Sequence, residues 1–124
     1  WGQVGNKARY RQSLSTLSQQ QIFVRSLEQN IEVRVRAAVR AVETNAESVK
    51  ISALARELSE KQYELEEARF RAGLSTSRRV LEAQQDLENA RVNELQARIS
   101  LRNSYTALYR IEGSALQRYG ITLD

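Results

Sequence analysis

No proline occurs anywhere in the 124 residues, and between Asn6 and Glu112 the only glycine is Gly73. A chain that lacks every other helix breaker and keeps one can fold into little except two long helices joined at that point. The break reads Phe70-Arg71-Ala72-Gly73-Leu74-Ser75-Thr76-Ser77. Gly73 suits the position just past a helix end, where the backbone turns left-handed. Ser75, Thr76 and Ser77 are three candidate N-caps for the helix that follows. The expected architecture is therefore all-α: a long antiparallel helical hairpin, coiled-coil-like, with one helix over about 6–72, a tip at 73–76, a second helix over about 77–112 and a tail at 113–124. Asn6 is the expected N-cap of the first helix.

Composition agrees with that architecture. The chain is 41% hydrophobic, 6% aromatic and 27% charged, a mixture of long helices that bury stripes rather than of a compact core. The first stripe runs Leu17, Gln21, Val24, Glu28, Ile31, Val35, Ala38, Val42, Asn45, Val49 in alternating steps of four and three. It then shifts to Leu54, Leu58, Lys61, Leu65, Ala68, Ala72, which predicts a local change of supercoil near residues 49–54. The second helix carries a cleaner stripe: Val80, Ala83, Leu87, Ala90, Glu94, Ala97, Leu101, Ser104, Leu108, Ile111, Ala115. Beside it lies another, Val92, Leu95, Ile99, Arg102, Thr106, Tyr109. A helix with two seams packs against two neighbours, which favours a bundle or closed ring of helices over a two-stranded coil.

The helices differ in length. Roughly 36 residues of second helix, about 54 Å, can pair with only the distal half of a first helix on the order of 100 Å long. Residues 7 to about 36 are expected to lack a partner within the chain. Glu32–Arg36, Glu57–Lys61, Glu67–Arg71 and Glu94–Arg98 are spaced as i, i+4 pairs and read as solvated faces. Leu116, Tyr119, Ile121 and Leu123 are candidates for a short packed tail.

Several function classes are excluded by what is absent. There is no His or Cys, so the commonest general base and the softest metal ligands are missing, and no catalytic residue, metal site or cofactor is expected. The net charge of +4 sits in residues 1–50, where eight Lys or Arg face four Glu. A nucleic-acid surface would show a stronger basic patch with stacking aromatics. No run of about 18 apolar residues marks a membrane helix. There is no Met, so a processed product or an excised fragment is expected, with any membrane-embedded part outside it.

The tip charges are unusual. Arg69 and Arg71 favour the dipole of the first helix, whereas Arg78 and Arg79 oppose that of the second, at a few tenths of a kcal/mol each if exposed. Glu66, Glu67 and Glu82 compensate on one reading; on the other, the tip is a basic surface for an acidic partner. Leu74 has two readings as well, a contact that closes the turn or an exposed anchor.

Phe70, Gly73 and Ser75, followed by Val80-Leu81, Ala83-Gln84, Leu87, Ala90-Arg91, Leu108 and Gly113, resemble in order and spacing the outer membrane efflux protein family, the TolC-like channels. The resemblance covers nearly the whole chain. It implies a homotrimer with a β-barrel in the bacterial outer membrane and a long α-barrel in the periplasm, of which this chain is the helical hairpin of the second repeat. It implies that a long helix pairs with two shorter ones stacked end to end. It implies a docking tip made of Phe70, Arg71, Gly73, Leu74, Ser75 and Thr76, which meets a membrane-fusion adaptor serving an inner membrane pump in multidrug efflux or type I secretion. The position before Val80-Leu81 is often Asp in the family and is Arg79 here; with Glu82 it is a candidate pore constriction, and a ring of three Arg there would favour anions. The competing readings are the hairpin of the adaptor itself and a helical scaffold.

Overall fold

The computed structural model describes residues 2–118 and Gly120. It is an all-α helical hairpin of two helices, α1 (Gly2–Arg71) and α2 (Ser77–Arg118), with no strand among the described residues. The chain divides into two units, one of residues up to Ala37 with those from Ile111 onward, the other Ala38–Arg110.

Within Ala38–Arg110 the two helices run antiparallel, and their facing stripes make the seam. Leu87, 4% exposed, is its most buried side chain, with Ala38 and Ala90 also buried. Burying one leucine stabilises by about 1.5–3 kcal/mol. The alanines let the helices approach closely at their level, because interaxial distance is set by the side chains at the contact. All eleven positions of the stripe expected on α2 are buried or half-buried. Nine of them, Val80 to Leu108, lie in this unit.

On α1 the expected stripe is exposed at Leu17, Gln21, Val24 and Glu28 and is buried or half-buried from Ile31 only as far as Val49. Beyond it the seam continues in the same phase through Ser52, Arg56, Ser59, Tyr63 and Glu66, all half-buried. The supercoil change expected at 49–54 is therefore absent from the seam. The apolar residues that suggested it, Leu54, Leu58 and Leu65, are 68%, 59% and 58% exposed. Two stripes were spliced into one in the sequence reading: the seam turns polar while an apolar stripe continues on another face. With the seam at heptad positions a and d, Ile51, Leu54, Leu58 and Leu65 occupy c and f, on the far side of α1. On α2 the second stripe, Val92, Leu95, Ile99 and Tyr109, occupies f and b and is likewise exposed.

In the other unit every position of α1 from Gly2 to Ser26 is exposed, including Tyr10, Leu14, Leu17, Phe23 and Val24. Leu27, Ile31 and Val35 are half-buried, as are Ile111, Ala115 and Leu116 on α2.

The helix bounds differ from expectation at two places. α1 begins at Gly2, ahead of Asn6, which lies inside the helix and is no N-cap. α2 passes through Gly113 and ends at Arg118 rather than at 112. One glycine costs a helix about 1 kcal/mol relative to alanine, and half-burial of Ala115 and Leu116 offsets it. Of the expected tail, Leu116 is part of α2, while Tyr119, Ile121 and Leu123 lie outside the described residues.

With the stripes opposite both sides of the seam open to water, the isolated chain should be strongly helical and self-associating. Sedimentation equilibrium checks this: a single monomeric species across a concentration series would contradict it.

Candidate functional site: the hairpin tip and the charged seam behind it

Two backbone hydrogen bonds close the turn. The Leu74 N–H donates to the Arg69 carbonyl at 2.8 Å and the Gly73 N–H to the Phe70 carbonyl at 3.0 Å, the two bonds of a Schellman motif. That motif needs a left-handed residue, and Gly73 supplies it with φ of 77°. The next helix is capped by Thr76: the Arg79 N–H donates to its Oγ1 at 3.3 Å, and the Val80 N–H to its carbonyl at 3.2 Å. Of the three cap candidates, Thr76 is therefore the N-cap. The Ser75 hydroxyl instead donates to the Glu66 carboxylate, tying the turn back to α1.

Apart from Ser75, the side chains of the turn point outward. Leu74 is 75% exposed, so it does not close the turn. Phe70 is 46% exposed, and Arg71, Gly73 and Thr76 are exposed too, with Ser75 half-buried. The carboxylates meet most of the tip cations. Arg69 lies 3.9 Å from Glu66, Arg71 2.9 Å from Glu67 and Arg78 3.4 Å from Glu82. Among the described residues Arg79 makes no ion pair, so compensation is incomplete and the surplus positive charge of the tip rests on it. Arg79 and Glu82 are both exposed, at heptad positions g and c of α2.

Behind the tip lies a charged cluster. Glu94 is spaced from Arg98 as a solvated i, i+4 pair and also lies on the α2 stripe. It does accept from Arg98 at 2.9 Å, but it is buried and also accepts from Arg56 Nε, across the hairpin, at 2.5 Å. Arg56 in turn donates to Glu60 at 2.9 Å, and Glu60 lies 4.0 Å from Arg91, which pairs with Glu88. The signal was present, since Glu94 occupies an a position of the α2 stripe. A charge at such a position implies a partner across the seam. The hydrogen bond from Arg98 holds the Glu94 carboxyl below the usual Glu range; burial opposes this, while the hydrogen bond and charge of Arg56 add to it. Of the other expected pairs, Glu32–Arg36 forms at 2.6 Å; Glu57–Lys61 is not among the ion pairs of the described residues.

The match to known proteins bears on this same stretch. The sequence matches the family described as outer membrane efflux protein over residues 2–114. The chain belongs to that family. Comparison with curated proteins and with solved structures gives no match. The match includes both helices up to Ser114 and the whole tip, which makes this hairpin part of a TolC-like outer membrane efflux protein rather than of an adaptor. No helix is long and apolar enough to cross a membrane among the described residues.

Two stability measurements check this geometry. A Cβ on Gly73 would meet no atom within 4 Å, so Gly73→Ala should cost only the backbone strain of a left-handed residue, about 1–2 kcal/mol, in urea unfolding of the chain. Because the folded pKa of Glu94 is depressed, its contribution is present above the unfolded value and is lost as pH falls through the folded one. Lowering the pH below about 4 should therefore narrow the difference in melting temperature between wild type and Glu94→Gln. A difference that stays constant with pH would remove Glu94 from the seam's ionic balance.

Proposed function

We propose that the hairpin is a periplasmic wall segment of a trimeric outer membrane efflux or secretion channel, and that its tip docks a membrane-fusion adaptor of an inner membrane pump. The observation that carries this reading is the pair of exposed apolar stripes on opposite sides of one hairpin. Ile51, Leu54, Leu58 and Leu65 on α1, with Val92, Leu95, Ile99 and Tyr109 on α2, face away from the shared seam. A hairpin of that kind is satisfied by a helix on each side, which is the condition of a helix in a continuous wall and not of a free-standing coiled coil. Membership of the efflux family supplies the context of an envelope-spanning duct.

The docking role rests on the tip. Arg71, Gly73, Leu74 and Thr76 form an exposed surface on a turn closed by backbone hydrogen bonds, with Phe70 beside them and Ser75 held against α1. Leu74 is the apolar anchor, and the arginines around it supply polar contacts. Arg79 and Glu82 are the constriction candidates, Arg79 bringing positive charge to the entrance. The reading requires no chemistry of this segment.

Leu74→Asp in the full-length protein should abolish adaptor cross-linking and export while trimers still form on non-denaturing gels. Normal export by that variant would sink the docking role and leave the wall assignment standing.

A further inference from the structure

The hairpin seam and the two outer stripes use up two opposed sides of each helix in Ala38–Arg110. The two broad sides that remain differ in chemistry. One is formed by e and b on α1 and by e on α2, together with the b positions of α2 that the outer stripe leaves. It carries Glu57, Glu64, Glu88, Arg91, Arg98 and Arg102, and the gap between helices there is bridged by long side chains, as in the 4.0 Å approach of Arg91 to Glu60. The other is formed by g on α1 and by g and c on α2. From Ala41 to Gln62 on α1, and from Asn89 to Ala107 on α2, those positions hold no charged residue.

Size differs along with charge. Where g positions of the two helices face each other, the residues are Ala41 and Ala107, Ser48 and Ser100, and Ala55 and Asn93. At the facing e positions the pairs are Ala46 and Tyr105, Ala53 and Arg98, and Glu60 and Arg91, with at least one long side chain in each. On the small side a short side chain reaches the neighbouring backbone: Asn45 Nδ2 donates to the Ser100 carbonyl at 3.4 Å. Helices in a curved wall converge on its concave side and diverge on its convex side. The concave side accepts small residues, and long ones fill the diverging side.

We propose that the small, uncharged side is the concave side that faces the cargo, so that Gln62, Asn89, Asn93, Gln96, Ser100 and Asn103 present a neutral amide and hydroxyl lining. The inference rests on the duct reading above and deepens it. Formal charge on that side lies only at its two ends, at Arg69, Arg79, Glu82 and Asp86 towards the tip and at Arg110 at the far end. Such a lining hydrogen-bonds polar solutes of either sign and does not sort them by charge along this stretch. Any charge selection by this hairpin then falls at the ends of the stretch. The charged side, with Glu57, Glu64 and Arg102, faces outward.

The test uses the full-length protein in planar bilayers with one added cysteine, at Asn93, Gln96, Glu57 or Glu64, all of them exposed. The probe is a cationic methanethiosulfonate reagent, with mass spectrometry confirming labelling and the protein without the added cysteine as control. Labelling at Asn93→Cys and Gln96→Cys should cause a loss of single-channel conductance, and labelling at Glu57→Cys and Glu64→Cys should leave it unchanged. Independently, Asn93→Asp should shift the reversal potential in a salt gradient towards cations, whereas Glu64→Gln should not. Conductance loss at the glutamate positions alone, or at neither pair, would overturn the orientation while leaving the channel reading intact. A protein that forms no channel at all would overturn the duct reading itself, and the lining with it.

Discussion

Register along the antiparallel seam is the constraint from which the other features follow. Arg56 and Glu94 hold one a position against another across the hairpin, and Glu94 is further held by Arg98. A buried charge finds its counter-charge at one alignment only; a shift by one heptad would leave it without its partner across the seam, a strongly unfavourable state. Apolar seams of Ala, Leu and Val discriminate less well between such shifts. With register fixed at this level, the tip closes at Gly73 and the outer stripes fall on opposite sides of the hairpin.

The seam therefore divides its labour. Towards Leu101 and Val49 it is mostly apolar, broken by Asn45 and the buried Ser104, and supplies cohesion. Towards the tip the α1 side becomes Ser52, Arg56, Ser59, Tyr63 and Glu66, and specificity replaces cohesion. Over the same stretch the apolar residues of α1 move to its outer face. Much of the apolar surface of this part of α1 then lies outside its own hairpin seam.

The fold was legible from the sequence because a proline-free chain with one interior glycine leaves few alternatives. The α2 seam was also legible position by position, since its spacing never breaks. The α1 seam was not. Beyond Val49 its residues are polar, and a search for apolar periodicity followed the outer stripe instead. The cross-hairpin partner of Glu94 was missed for a related reason: a local i, i+4 partner explained it well enough to hide the one 38 residues away. At the tip, Gly73 was placed correctly by turn chemistry. The choice of Thr76 among three adjacent hydroxyls, and the turn of Ser75 towards Glu66, depend on geometry that short-range patterns do not encode.

The closed tip has a consequence for how such a hairpin can change over evolutionary time. Its shape is held by backbone bonds, one glycine, one threonine cap and the Ser75–Glu66 tie. The side chains it displays, Arg71, Leu74, Arg78 and Arg79, take no part in that closure. Scaffold and displayed surface are therefore separable. Substitutions at the displayed positions can alter the chemistry of the tip without reopening the turn, so that surface can drift while the architecture stays fixed.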